Sequence, residues 1–153
     1  MAKAKAAEAR ASLGSIGRLA AAAYDRETTS SVLTPGAASD VHHELCASAK
    51  ATVPASVTDV SGKKYQSGPT EWTSDSADAG FTCLKFSIDV PQYYAYGYTR
   101  SGTGSKLGDT FTATAEGDLD GNGKTSRFEI TGTVGPGDAV TVTWKLKESN
   151  PEE

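Results

Sequence analysis

From Phe111 to Thr133 the chain reads FTATAEGDLDGNGKTSRFEITGT, and the two-residue period on either side of Asn122-Gly123 constrains the fold more than any other stretch. Phe111, Ala113 and Ala115 alternate with Thr110, Thr112 and Thr114; Phe128, Ile130 and Gly132 alternate with Arg127, Glu129 and Thr131. Such alternation predicts two half-buried strands. An Asn-Gly pair suits a two-residue turn with φ > 0 at both central positions, so the strands are expected to form a hairpin. That turn would pair Ala115 with Ile130 and Gly117 with Phe128. It would also set Asp118 opposite Arg127 and Asp120 opposite Thr125 on the solvent face.

The same residues match a second pattern. Asp118, Asp120 and Asn122, then Gly123, then Glu129, fit the calcium-loop spacing D-x-[DN]-x-[DN]-G-x5-E. A hard cation needs six or more oxygens, and side chains at alternate positions plus backbone carbonyls supply most of them. The flanks read as strands, whereas helices are what bring the twelfth ligand back in an EF-hand. An ion-free acidic hairpin and a structural calcium site both stay open. No other cofactor is required.

More strands lie on either side. Tyr94, Tyr96 and Tyr98 alternate with Tyr93, Ala95 and Gly97; Val140, Val142, Trp144 and Leu146 alternate with Thr141, Thr143, Lys145 and Lys147. A three-residue connection at Gly135-Pro136-Gly137 would pair Phe128 with Trp144 and Ile130 with Val142. Residues 93–148 are thus expected to form a four-stranded antiparallel meander, apolar on one face and Thr/Lys-rich on the other, with 149–153 as a tail.

An apolar sheet face needs a cover, and the start of the chain supplies one. Residues 1–27 are rich in Ala, Lys, Glu and Arg, and Leu13, Ile16, Ala20, Ala23 and Tyr24 recur at helical spacing. The expected helix is ~39 Å long, with Lys5, Glu8, Arg18 and Arg26 on its wet face. Gly14 and Gly17 inside it cost about 1 kcal/mol each unless close packing compensates. A helix on an antiparallel sheet is an α+β arrangement, and 153 residues suit a single domain. Residues 28–92 lack periodicity and form an irregular connection. Within it, Asp40–Ala51 is expected to hold a helical turn or two with Asp40 as N-cap, Trp72 to pin the far end, and Phe81–Val90 to be a strand or a short helical turn.

Several functions lose support on these grounds. A net charge of −4 and a pI near 5.2, with no basic run, argue against a nucleic-acid surface. His42, His43, Glu44 and Cys46 look like a metal cluster, but two ligands on one turn leave a tetrahedral zinc site incomplete, and a solvated loop is expected. Three of the rings in Tyr93–Tyr98 belong to the core face by alternation, so a stacking platform is not expected. Nothing resembles a nucleophile elbow, the two histidines are adjacent, and GTGSKLGD from Gly102 to Asp109 lies between strands rather than before a helix. An enzyme is not expected.

Four stretches carry a resemblance. K-A-A-E-A-R-x-x-L-G-x-I in the helix, F-x-x-L-x-F-S-I-D-x-P from Phe81 to Pro91, Y-Y-x-Y from Tyr93 to Tyr96 and F-T-A-x-A-x-G-D-L-D-G from Phe111 to Gly121 follow one another. Together with Trp72, they resemble type IV pilins and pilin-like proteins of Gram-negative bacteria over nearly the whole chain. The resemblance implies a pilin-like fold and a structural role as the globular coat of a pilus or pilus-like filament serving adhesion, motility or secretion. Its partners would be further copies, other pilins and the inner-membrane assembly machinery. It implies an inner-membrane precursor and then an extracellular filament (fimbrium). The family's apolar N-terminal half-helix is absent here, so the chain is expected to be a soluble part whose Met1-Ala2 is an added start, with membrane contact only through the missing segment. Ala6, Ala7, Ala20 and Ala22 would let neighbouring backbones approach. Cys46 and Cys83, an even pair in a non-cytosolic setting, are expected to form a disulfide, with two buried thiols as the alternative. A type II secretion pseudopilin and a secreted calcium- or carbohydrate-binding β-module are the other readings.

Overall fold

The structure, a computed structural model, describes the backbone of residues 2–25, 28–29, 41–136 and 139–149, and side chains within 5–25, 43–136 and 139–142. It is α+β. Helix α1 (Ala2–Asp25) is followed by two short strands, β1 (Thr28–Thr29) and β2 (Val41–His42), a 3-10 turn (Val57–Val60), and the short helices α2 (Pro69–Trp72) and α3 (Gly80–Leu84). Strands β3 (Ala95–Ser101), β4 (Thr110–Gly117), β5 (Ser126–Gly135) and β6 (Ala139–Ser149) then form an antiparallel sheet in the order β3-β4-β5-β6.

In β4 and β5 the alternation predicts the faces correctly and the register incorrectly. Ala113, not Ala115, pairs with Ile130, and Ala115 pairs with Phe128, a shift of two residues. An even shift keeps every side chain on its own face, which is why the apolar set still lands together. The shift arises because the chain turns over the whole of 118–125. Among those residues Gly121 (φ 74) and Gly123 (φ 87) take positive φ and Asn122 does not, so the two-residue turn never forms. Arg127 consequently faces Glu116 rather than Asp118. The next hairpin is corrected in the same way: Val142 pairs with Gly132 and Val140 with Val134, and an irregularity between Glu129 and Thr131 shifts the far end of β6 further. Trp144's side chain lies outside the described residues.

Helix α1 runs ~36 Å at the usual rise and packs on β4, β5, β6 and α3. Ala9, Leu13, Ile16, Ala20 and Tyr24 are buried against Phe111, Ala113, Phe128, Ile130 and Val134. Each fully buried Leu, Ile or Phe contributes on the order of 1.5–3 kcal/mol. Of the two glycines inside the helix, Gly17 has a packing reason: a Cβ on it would stand 3.3 Å from Ile130 Cδ1 and 3.5 Å from Val142 Cγ1. Gly132 has another. The ring of Phe111, its cross-strand partner, lies over it where a Cβ would go.

The short helices of the middle of the chain are not all where they were expected. Asp40 lies outside the described residues. From Val41 to Ala51 there is no helical turn, only β2 and then an extended strap along the edge of β3. Leu45 N–H donates to Gly104 O (2.9 Å), Ala49 N–H to Tyr98 O (2.9 Å), and Val53 exchanges both backbone bonds with Tyr96 (2.9 and 3.0 Å). An uncovered β3 edge would leave such groups unpaired, so the strap is satisfied by the sheet and not by its own helix. Phe81–Val90 resolves into α3, ended by Lys85 at φ 59. Trp72 is buried with edge-on contacts to Phe81 (4.9 Å) and Phe86 (5.4 Å). Its Nε1–H donates to Ser67 Oγ at 2.8 Å. Cys46 of the strap and Cys83 of α3 form a disulfide, Cα–Cα 5.8 Å.

Candidate functional site

The acidic loop is organised by one carboxylate. Asp118 Oδ1 accepts from the N–H groups of Gly121 (3.0 Å) and Asn122 (3.2 Å). Its Oδ2 accepts from Gly123 N–H (2.9 Å) and from the Ser61 hydroxyl (2.8 Å). The Ser61 hydroxyl, followed by the Gly123 and Gly121 amides, holds the Asp118 carboxyl below the ordinary carboxylate value. Asp120 Oδ1 accepts from Asn122 N–H (3.1 Å), its Oδ2 from Asn122 Nδ2 (3.0 Å), and Asn122 Oδ1 accepts from Lys124 N–H (2.8 Å). The loop is fastened to the 3-10 turn by Gly62 N–H donating to Asp118 O at 2.7 Å. Gly62 and Gly121 meet backbone to backbone: a Cβ on Gly62 would lie 3.3 Å from Gly121 Cα.

Of the four calcium-pattern residues, the structure brings Asp118, Asp120 and Asn122 together. It sets Glu129 inside β5, where it accepts from Arg127 Nε at 2.8 Å. Among the described residues no three His, Cys, Asp or Glu side chains group as a metal site. Both oxygens of Asp118 receive two donors each, so in this arrangement its carboxylate holds the loop's shape by itself.

Among the described residues of the histidine region, His43 and Glu44 are half-buried and Cys46 is buried. His43 stacks on Tyr24 (5.5 Å between centroids), and its Nδ1–H donates to Tyr24 O at 2.8 Å. Glu44 pairs with Arg100 at 3.1 Å, and Cys46 is in the disulfide. His42's side chain lies outside the described residues. Tyr94, Tyr96 and Tyr98 are buried, and Tyr93 is partly covered by the ammonium groups of Lys5 (4.8 Å) and Lys64 (5.3 Å).

Helix α1 offers a different outer face from the one the alanine count suggests. Ala6 and Ala20 are buried in the core, whereas Ala7, Ala11 and Ala22 are exposed beside Arg18. Arg26 lies outside the described residues. Glu8 is not on the wet face either. Its Oε1 accepts from the Tyr96 hydroxyl (2.8 Å) and from Tyr93 N–H (3.1 Å), which fastens α1 to the start of the sheet. Burial pushes the Glu8 carboxyl above its ordinary value despite those donors and nearby Lys64. Sequence periodicity missed this contact, because a Glu at an apparently polar helix position carries no mark of its tyrosine partner. It missed buried Gln92 as well, whose Nε2 donates to Val53 O (3.0 Å) and Tyr94 O (2.9 Å).

No helix among the described residues is long and apolar enough to cross a membrane. No protein-family model matches this chain, and no curated protein or solved structure matches it.

Proposed function

We propose that this chain is the globular coat domain of a type IV pilin or pilin-like filament subunit. What supports the reading is the order of parts: a long amphipathic helix, an irregular stretch closed by the Cys46–Cys83 disulfide, then an antiparallel meander on which the helix lies. That order accompanies the sequence resemblance from Trp72 to Gly121. In the filament, an apolar segment joined ahead of α1 is anchored in the inner membrane and then buried with its copies in the fibre core. The domain surrounds that core, with Ala7, Ala11 and Ala22 allowing a neighbour's backbone to come close. Its partners are other copies and the assembly machinery, and no side chain performs chemistry.

The test is direct. Antibodies raised against the purified domain are applied to filaments sheared from the source bacterium and viewed with gold label. The proposal expects label along the filament length. Unlabelled filaments, with the protein recovered free in the medium, would sink it.

A further inference from the structure

The solvent face of the sheet holds a trough that the filament reading does not use. Its volume is about 810 Å3, and it lies between the strap and strands β3 to β5. Ala49, Ala51, Ala55 and Val57 form one wall, and Ala95, Gly97, Thr112 and Thr114 line the floor. Position 97 is glycine where Thr114 and Thr52 already fill the space beside it. A Cβ there would come within 2.8 Å of Thr114 Oγ1 and 3.2 Å of Thr52 Cγ2. The far wall is Arg127 with the two carboxylates that hold it, Glu116 (3.3 Å) and Glu129 (2.8 Å).

Beyond the trough the hydroxyls continue. Register sets Thr99, Thr112 and Thr131 side by side across three strands, and Ser101, Thr110, Thr133 and Thr141 across four. β-Propensity alone accounts for threonine on a solvated strand. It does not account for small side chains along the floor beside a wall of alanines, with a guanidinium paired to two carboxylates opposite.

The geometry points to a binding site for a neutral oligosaccharide. Three features select that ligand. Threonine hydroxyls both donate and accept, as sugar hydroxyls do, and their methyl groups, with the alanine wall, meet C–H faces. Arg127 and its carboxylates present planar groups suited to adjacent hydroxyl pairs. Lys50 and Arg127 balance Glu116 and Glu129 in charge, so nothing in the trough draws a polyanion. The volume falls within the range of small-ligand clefts, about 300–1,000 Å3.

The intact chain is applied to a printed panel of neutral hexose and N-acetylhexosamine oligosaccharides beside sialylated and sulfated members. Binding to neutral members is expected. It should fall at least tenfold in the Thr112→Val/Thr114→Val variant, which keeps shape and strand preference, and in each single variant measurably. Amide shifts of the 15N-labelled chain with the best-bound neutral glycan should concentrate on β3, β4 and the strap. An unchanged melting temperature in the variants shows that the fold is intact. No neutral binding at millimolar ligand, binding of anionic members only, or undiminished binding by the double variant would each overturn the assignment. The outcome is independent of the filament reading, since a labelled filament whose subunit ignores sugars refutes only this site.

Discussion

Glu8 and Asp118 both accept backbone N–H bonds, yet their surroundings move their proton affinities in opposite directions. Glu8 is raised chiefly by burial, so the folded chain holds its proton more tightly than the unfolded chain. Stability from this group therefore declines as pH rises from the ordinary value of 4.5 through the raised one. Asp118 is lowered, first by the Ser61 hydroxyl, so its contribution is present above 3.8 and is lost as pH falls through the depressed value. Melting curves of Glu8→Gln and Asp118→Asn across pH 2–8 should show the contrast. E8Q gains on the parent as pH rises, while D118N is less stable at neutral pH and converges with the parent in acid. Parallel curves for parent and variants would contradict both assignments. Phe111 over Gly132 makes another test at this scale. Gly132→Ala should cost about 1–3 kcal/mol by overpacking, and Phe111→Ala about 3–5 kcal/mol. With the ring gone, the glycine substitution should cost little, which denaturant unfolding of the double variant reads as coupling.

At the scale of elements, what was legible in the sequence was whatever has a period. The alternation in β4 and β5 and the helical spacing of Leu13, Ile16, Ala20 and Tyr24 predicted the faces of those strands and the buried stripe of α1, and both are observed; Ala95 and Gly97, expected on the outer face of β3, are buried as well. The hairpin register was not legible, because Asn122-Gly123 is a turn signal only if nothing competes for its amides. Here the Asp118 carboxylate gathers three of the loop's N–H groups and widens the turn. The strap was illegible for a related reason: its hydrogen bonds go to a distant strand edge and demand no pattern of their own. Ala6 and Ala20 look like any other helical alanines until the packing face is known. The trough was hidden too, since it lies between the strap and the sheet, whose pairing no pattern marks. The Cys46–Cys83 bond staples this strap to α3 across a separation of 37 residues. In the chain-entropy view it contributes at most ~4 kcal/mol. Unreduced protein should show no alkylatable thiol by mass spectrometry, and Cys46→Ser/Cys83→Ser should lower the denaturation midpoint. Two labelled cysteines would contradict the pairing.

At the scale of the whole molecule, the acidic loop acts as a clasp between the β4–β5 turn and the 3-10 turn, held by internal donors. Millimolar calcium against chelator should therefore leave the melting temperature unchanged, and a calcium-dependent rise would show that the ion displaces those donors. The larger arrangement is a rod-like helix lying on one side of a sheet whose other side is hydroxylated and open. In the proposed filament the helix side would face inward and the trough side outward. Cryo-electron microscopy of the labelled filaments measures it most directly. The account predicts repeating subunits with α1 turned toward the filament axis and the outer faces of β3–β5 toward solvent. Filament density that cannot hold this domain, or that places α1 on the outside, would contradict it.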